Sequence, residues 1–141
     1  MANRTLEDQL TLHEGKRPGL YNDGYGHMSI GVGRNLTDVP LDEEEISFLL
    51  AKDIRRAAEG LDYSLPWWSK LDAIRQRVML DMCFNLGIGK LLTFRTTLAN
   101  IKAGEYEAAA VNMLKSRWAK QVGTRALRLA EMMKTGQDYT R

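Results

Sequence analysis

Three side chains near the N-terminal end combine reactive types with a regular spacing: Glu14, Asp23 nine residues on, and Ser29 six further. Glu14 stands where a first helix stops at Gly15, so its carboxyl meets the negative end of the helix dipole. That disfavours the ionised form and suits a proton donor. Asp23 opens Asp23-Gly24-Tyr25-Gly26, a turn rich in backbone N–H groups and open to water, and is expected to stay ionised. Two carboxyl groups in opposed environments form the acid/base pair that glycoside hydrolysis uses. Ser29, on the polar face of the next strand, is placed to hold a water beside Asp23. The same residues also have a purely structural reading. Asp-Gly is ordinary turn chemistry, and Glu14 is then a surface residue that ends a helix.

Other chemistries find less support. His13 and His27 are the only histidines and fit no Cys/His or His-x-x-x-His pattern, so neither metal nor cofactor is expected. Cys83 lies within an apolar segment and reads as a small core residue rather than a nucleophile. Gly31-Val32-Gly33 lacks the third glycine and the strand–helix setting of a phosphate-binding loop.

The elements that must position these groups can be read from capping and periodicity. A first helix is expected from Thr5 to about Glu14, with Thr5 as N-cap and Asp8 three residues on. Its stripe of Leu6 and Leu10, with Leu12 to one side, must lean on other elements. Leu20–Asn22 and His27–Val32 read as two strands around the Asp-Gly turn. Met28, Ile30 and Val32 are expected to face a core, and His27, Ser29 and Gly31 a cleft. After Pro40 the chain reads as helical. An acidic first turn at Glu43-Glu44-Glu45 opens a helix ending near Gly60. A central, buried helix follows over Lys70–Leu86, capped by Ser69 with Asp72. Shorter helices are expected at about Thr93–Ala103, Glu105–Lys115 and Thr124–Lys134. The fold class is α+β, a single domain of residues 1–141 with two unequal lobes. A small β-containing lobe covers about 15–60, and a helical lobe covers about 1–14 plus 61–141. Their junction is the natural place for a ligand cleft.

With 141 residues, 44% of them hydrophobic and 27% charged, the chain suits one globular domain and excludes a disordered or disulfide-built one. The lone cysteine points to synthesis in a reducing compartment. No apolar run is long enough to cross a bilayer, and the first ten residues lack the apolar core of a signal peptide. The net charge of +2 conceals an asymmetry, −5 over residues 1–63 and +7 over residues 64–141. A basic half suits an anionic partner, although charge scattered on helix backs gives the same count.

The segments Leu12-His13-Glu14-Gly15, Leu20-Tyr21-Asn22-Asp23 and Gly26-His27-Met28-Ser29-Ile30-Gly31-Val32-Gly33 resemble the active-site region of the phage-type lysozymes, the endolysin muramidases of T-even bacteriophages. That family places Glu, then Asp nine residues on, then Thr six further, ahead of Ile-Gly-x-Gly. Leu71–Arg75, Phe84–Gly87, Ala109–Asn112 and Lys115–Trp118 are similar to it as well, so the resemblance covers most of the chain. It implies a mostly helical two-lobe fold and hydrolysis of the β-1,4 bond between N-acetylmuramic acid and N-acetylglucosamine, with inversion. Glu14 would be the general acid. Asp23 would orient and deprotonate water or stabilise the transition state, and Ser29 would hold that water in place of the family's Thr, without the methyl that restricts its rotamer. Arg125 matches an arginine that pairs with the catalytic Glu, Gln121 and Asn85 match polar cleft residues, and Phe84 matches an aromatic at the cleft wall. Arg34 stands where the family often has His, opposite an Asp corresponding to Asp53, so an Arg34–Asp53 pair is expected. Residues 35–41 make a shorter connection than in the T-even phage enzyme.

The resemblance also implies partners. Bacterial peptidoglycan is the expected substrate, with the basic half concentrating the enzyme on an anionic wall in a salt-sensitive way. No nucleic acid, stable membrane insertion or oligomer is expected. Trp67, Trp68 and Trp118 are expected to pack in the interior rather than serve as sugar platforms. Without a signal peptide the enzyme would be made in the host cytoplasm and released by a separate membrane-permeabilising phage protein. Two other readings compete: a lytic transglycosylase that uses Glu14 alone, and a non-enzymatic basic module that binds cell wall.

Overall fold

The computed structural model describes residues 3–140, so the ends of the expected domain, residues 1–2 and 141, lie outside the described residues. It is 65% helical, with eight α-helices and one three-stranded antiparallel sheet among the described residues, an α+β fold. The chain forms two compact units, one ending at Leu49 and the other beginning at Leu50.

In the first unit, α1 (Leu6–Glu14) starts at the expected capping box. Thr5 Oγ1 accepts the Asp8 N–H at 3.1 Å, and Asp8 Oδ2 accepts the Thr5 N–H at 3.0 Å. The leucine stripe is not buried. Leu6, Leu10 and Leu12 are all exposed, so the end caps carry this helix rather than packing.

Strand β1 (Arg17–Asn22) pairs with β2 (Met28–Gly31), which pairs with β3 (Arg34–Asn35). β3 was not foreseen. Gly31 and Gly33 both have φ near +66°, which reverses the chain within two residues and ends β2 before Val32. β1 is longer than expected and irregular: the step from Arg17 to Tyr21 lies opposite the shorter step from Gly31 to Ser29. Pro18 brings no N–H to the ladder and Gly19 no side chain, so the strand bulges there and its reach shortens.

Burial along β2 departs from the expected alternation, with Ile30 half-buried as the one apolar residue of the three that is shielded. Ser29 is buried at 4% exposure, while Met28 and Val32 are exposed. Tyr21 and Asn35 stand directly opposite Ser29 on its two neighbouring strands, so both share its face.

Helix α2 (Glu43–Ser64) carries the acidic first turn but does not stop at Gly60. A Cβ at Gly60 would come within 3.2 Å of the Ile88 Cβ, so the glycine serves close packing rather than termination. Continuing the helix brings Leu61 to full burial. A 3-10 turn over Pro66–Lys70 precedes α3 (Ala73–Leu86), which starts three residues later than expected and is capped by Asp72, whose carboxylate accepts the Arg75 N–H at 3.0 Å.

The remaining helices are α4 (Ile88–Leu91), α5 (Arg95–Lys102), α6 (Tyr106–Lys115), α7 (Arg117–Val122) and α8 (Thr124–Thr135). The core they enclose is built on Leu61, Val78, Met79, Met82, Leu91, Ile101, Met113 and Met133. α3 buries one face in it, with Val78, Met79, Met82 and Cys83, while Phe84 is 46% exposed; the helix is not covered all round. Trp68 and Trp118 are buried in this core and Trp67 packs against it, as expected of interior residues. Arg75 closes the far end of α8. It donates to the Met133 and Lys134 carbonyls at 2.7 and 3.0 Å and stacks its guanidinium 3.6 Å from the Tyr106 ring centre.

Leu61→Ala removes a fully buried side chain from the segment beyond Gly60. It is expected to lower stability by about 3 kcal/mol in urea unfolding, whereas a helix ending at Gly60 would make the change nearly neutral.

Candidate active site

Glu14 is the last residue of α1, and its carboxyl rests on the turn between β2 and β3. A Cβ at Gly33 would fall 2.6 Å from Glu14 Oε2 and 3.0 Å from Cδ and Cγ. Only glycine permits that approach, and the same residue needs its φ of +67°. The second glycine of Gly31-Val32-Gly33 thus has two tasks, turning the chain and leaving room for the carboxyl.

Asp23 follows β1 directly and ties off the turn into β2. Its own N–H donates to the His27 carbonyl at 3.0 Å. Its Oδ1 accepts the Tyr25 N–H at 2.7 Å and the His27 N–H at 3.2 Å, and its Oδ2 lies 3.0 Å from His27 Nδ1. The Tyr25 amide above all, with the amide, ring and charge of His27, holds the Asp23 carboxyl below the usual carboxylate range. Because it titrates lower folded than unfolded, this arrangement contributes fully above the ordinary carboxylate value and is lost as pH falls through the folded one. The expectation of an ionised carboxylate fits these donors.

Ser29 lies mid-way along β2, between Tyr21 and Asn35. The side-chain partners of Asp23 are Tyr25 and His27, and Ser29 is not among them. Glu14, Asp23 and Ser29 therefore all belong to the first unit, on α1, the β1–β2 turn and β2 in that order.

Arg34 and Arg125 are each held by a carboxylate of their own unit. Arg34 makes a two-pronged pair with Glu45, Nη1 to Oε1 at 3.2 Å and Nη2 to Oε2 at 2.7 Å, in place of the expected pair with Asp53. Glu45, on the first turn of α2, belongs to the same unit as Arg34, whereas Asp53 pairs with Arg56 one turn along its own helix at 3.0 Å. Arg125 engages Asp81, with Nε and Nη2 at 2.9 and 2.8 Å from Oδ1. With Asp81 on α3 and Arg125 on α8, the pair joins two neighbouring helices of one core.

Phe84, Asp81 and Arg125 line a cavity of about 610 Å³ in the second unit. Gln121 lines another of about 630 Å³, with Thr97, Asn112, Lys115, Arg117 and Trp118. Asn85 is a packing partner, its Oδ1 accepting the Trp118 indole N–H at 2.7 Å. Sequence reasoning missed His27, Gly33, Glu45 and Asp81. A signal existed for His27, which stands four residues after Asp23 across a tight turn, where strand pairing brings the two ends together.

A family profile described as phage lysozyme matches residues 11–133. The chain belongs to the phage lysozyme family. Among curated relatives, it is 27% identical to probable T4-type lysozyme 1 of Dictyostelium discoideum, over 94% of this chain and 95% of that protein. It is 22% identical to probable T4-type lysozyme 2 of the same organism, over 94% and 95%. It is also 26% identical to the pre-baseplate central spike protein Gp5 of Enterobacteria phage T4, over 95% of this chain but only 28% of the spike protein. The first of these alignments runs over 162 positions against a chain of 141 residues, so the relative carries residues that this lysozyme lacks.

This lysozyme is a glycoside hydrolase that cleaves peptidoglycan. Glu14, Asp23 and Ser29 all fall within the matched region. Gly33→Ala tests the seat of Glu14. The new methyl displaces a flexible carboxyl and strains φ, so stability should fall by only about 1 kcal/mol. With Glu14 as the expected proton donor, hydrolysis of peptidoglycan should fall far more, by about 100-fold, because its carboxyl is displaced. Thermal unfolding and a turbidity assay on the same sample separate the two effects.

Proposed function

We propose that this lysozyme cleaves the β-1,4 bond between N-acetylmuramic acid and N-acetylglucosamine with inversion, by a two-carboxyl mechanism. Glu14 protonates the glycosidic oxygen as the bond breaks. Asp23 orients a water on the opposite face of the sugar, takes its proton and faces the positive charge that develops on the ring. Ser29 contributes a hydroxyl to the water's setting. The observation that carries this reading is the state of Asp23: Oδ1 is occupied by two backbone N–H groups, while Oδ2 has a single neighbour and the group is held ionised. A fixed carboxylate with an oxygen to spare is what a base for water requires. Lytic transglycosylation needs no such group, because the sugar's own hydroxyl closes the ring.

Glu14→Gln removes the donated proton and keeps the shape. It is expected to lower turnover on purified peptidoglycan by about 1,000-fold while leaving the circular dichroism spectrum and wall binding unchanged. Mass spectrometry of the wild-type digest should give products that have gained water, with the α-anomer formed first by NMR. Products lighter by one water would replace hydrolysis by transglycosylation, and a β-anomer first would replace inversion by retention.

The biological reading follows from the substrate. We propose that the enzyme acts as a monomer in host cell lysis, reaching the wall from the cytoplasm after a separate protein opens the membrane. Among the described residues no helix is long and apolar enough to cross a membrane. Expression in a bacterial cytoplasm is expected to leave growing cells intact until a membrane-permeabilising protein is co-expressed, as followed by culture turbidity. Prompt lysis by the enzyme alone would overturn this route.

A further inference from the structure

The contacts of Asp23 extend beyond its turn. Nδ1 of His27 lies 3.0 Å from Asp23 Oδ2, and Nε2 on the other side of the ring lies 3.5 Å from Asp38 Oδ2. Asp38 is fixed in turn. Its carboxylate accepts Asn35 Nδ2 at 2.9 Å, and its N–H donates to Asn35 Oδ1 at 3.2 Å. Asn35 lies in β3, opposite Ser29. A continuous line of polar contacts therefore leads from β3 through Asp38 and His27 to one oxygen of Asp23. The His27 side chain is 36% exposed, so it is not there to fill a core.

We propose that His27 is a positioning residue for the lysozyme reaction, its Nδ1–H donating to Asp23 Oδ2 while Asp38 and Asn35 hold the ring from behind. The inference rests on the reading of Asp23 as the group that orients and deprotonates water. An ionised carboxylate only accepts, so the proton between the two groups sits on Nδ1; a ring protonated on both nitrogens donates to Asp38 as well. The two backbone donors, at 2.7 and 3.2 Å, both act on Oδ1 and leave the carboxylate a limited rotation about its Cβ–Cγ bond. The third contact, on Oδ2, removes this freedom. Oδ2 is also the oxygen with lone-pair capacity left for a water, so its direction sets where the water stands.

The test compares H27A, H27N, H27Q, D23N and the H27A/D23N double variant, with kcat and KM measured on soluble peptidoglycan fragments. H27A is expected to lower kcat by about 10-fold with KM little changed. The amide nitrogen of H27N stands near the place of Nδ1 and should restore most of kcat, whereas that of H27Q stands near Nε2 and should not. H27A should have no further effect in the D23N background, because His27 acts only through that carboxylate. In ¹³C NMR the Asp23 carboxyl should titrate higher in H27A than in the wild type. The H27N and H27Q pair carries the comparison even if H27A fails to fold.

Full kcat in H27A, equal rates for H27N and H27Q, or an H27A effect that persists without Asp23 each overturn the role of His27. Wild-type kcat in D23N overturns the reading of Asp23 itself and the inference with it. Inactive D23N beside fully active H27A overturns only the inference.

Discussion

The hydrogen bonds that Asp23 accepts are the contact on which the first unit turns. They close the reversal between β1 and β2, so they fix Tyr21 against Ser29 and Asn22 against Met28. That register decides which face Ser29 occupies, and the next reversal at Gly33 decides where the Glu14 carboxyl can lie. A charged group at a turn is usually there for the turn alone. Here the donors that make the turn also favour the charged form of the carboxylate, so the fold of the turn and the ionisation of Asp23 share one cause.

The two units are built on different physics. The second encloses methionine, leucine and tryptophan side chains in a continuous apolar core. In the first, Ser29 is the one buried side chain among the described residues. Its order comes from polar contacts of short range: the Thr5–Asp8 box, the Asx turn at Asn35, and the Arg34–Glu45 fork. Such a unit has few apolar contacts to resist local opening, a property common among elements that must admit a large ligand. Glu14, Asp23 and Ser29 all lie on it.

What could be read from the sequence divides along the same line. Local signals were legible: the Thr5 cap, the Asp23-Gly24 turn, the Asp72 cap and the helices punctuated by glycine all state their own geometry in a few residues. Glu14 and Asp23 stood out because their spacing matches a known pattern and their local settings differ. Signals that depend on what lies opposite were not legible. The periodicity of β2 favoured Met28 and Ile30 for the interior, but Met28 is exposed and Ser29, set between two larger cross-strand neighbours, is buried. Gly60 looked like a stop because nothing in the sequence reveals Ile88 pressed against it. Arginine partners depend on the same kind of information. A guanidinium takes the nearest well-oriented carboxylate, and for Arg34 and Arg125 those are Glu45 and Asp81, residues whose positions depend on helix packing.

The environment of Cys83 has a practical consequence. Its sulfur is enclosed by the core and lies 3.6 Å from the Ala57 carbonyl oxygen, and burial pushes the thiol up. A sulfur that neither ionises readily nor reaches the surface is slow to exchange with other thiols or to be oxidised. The folded protein can therefore be handled in aerated buffer, without added reductant, and remain free of covalent dimers.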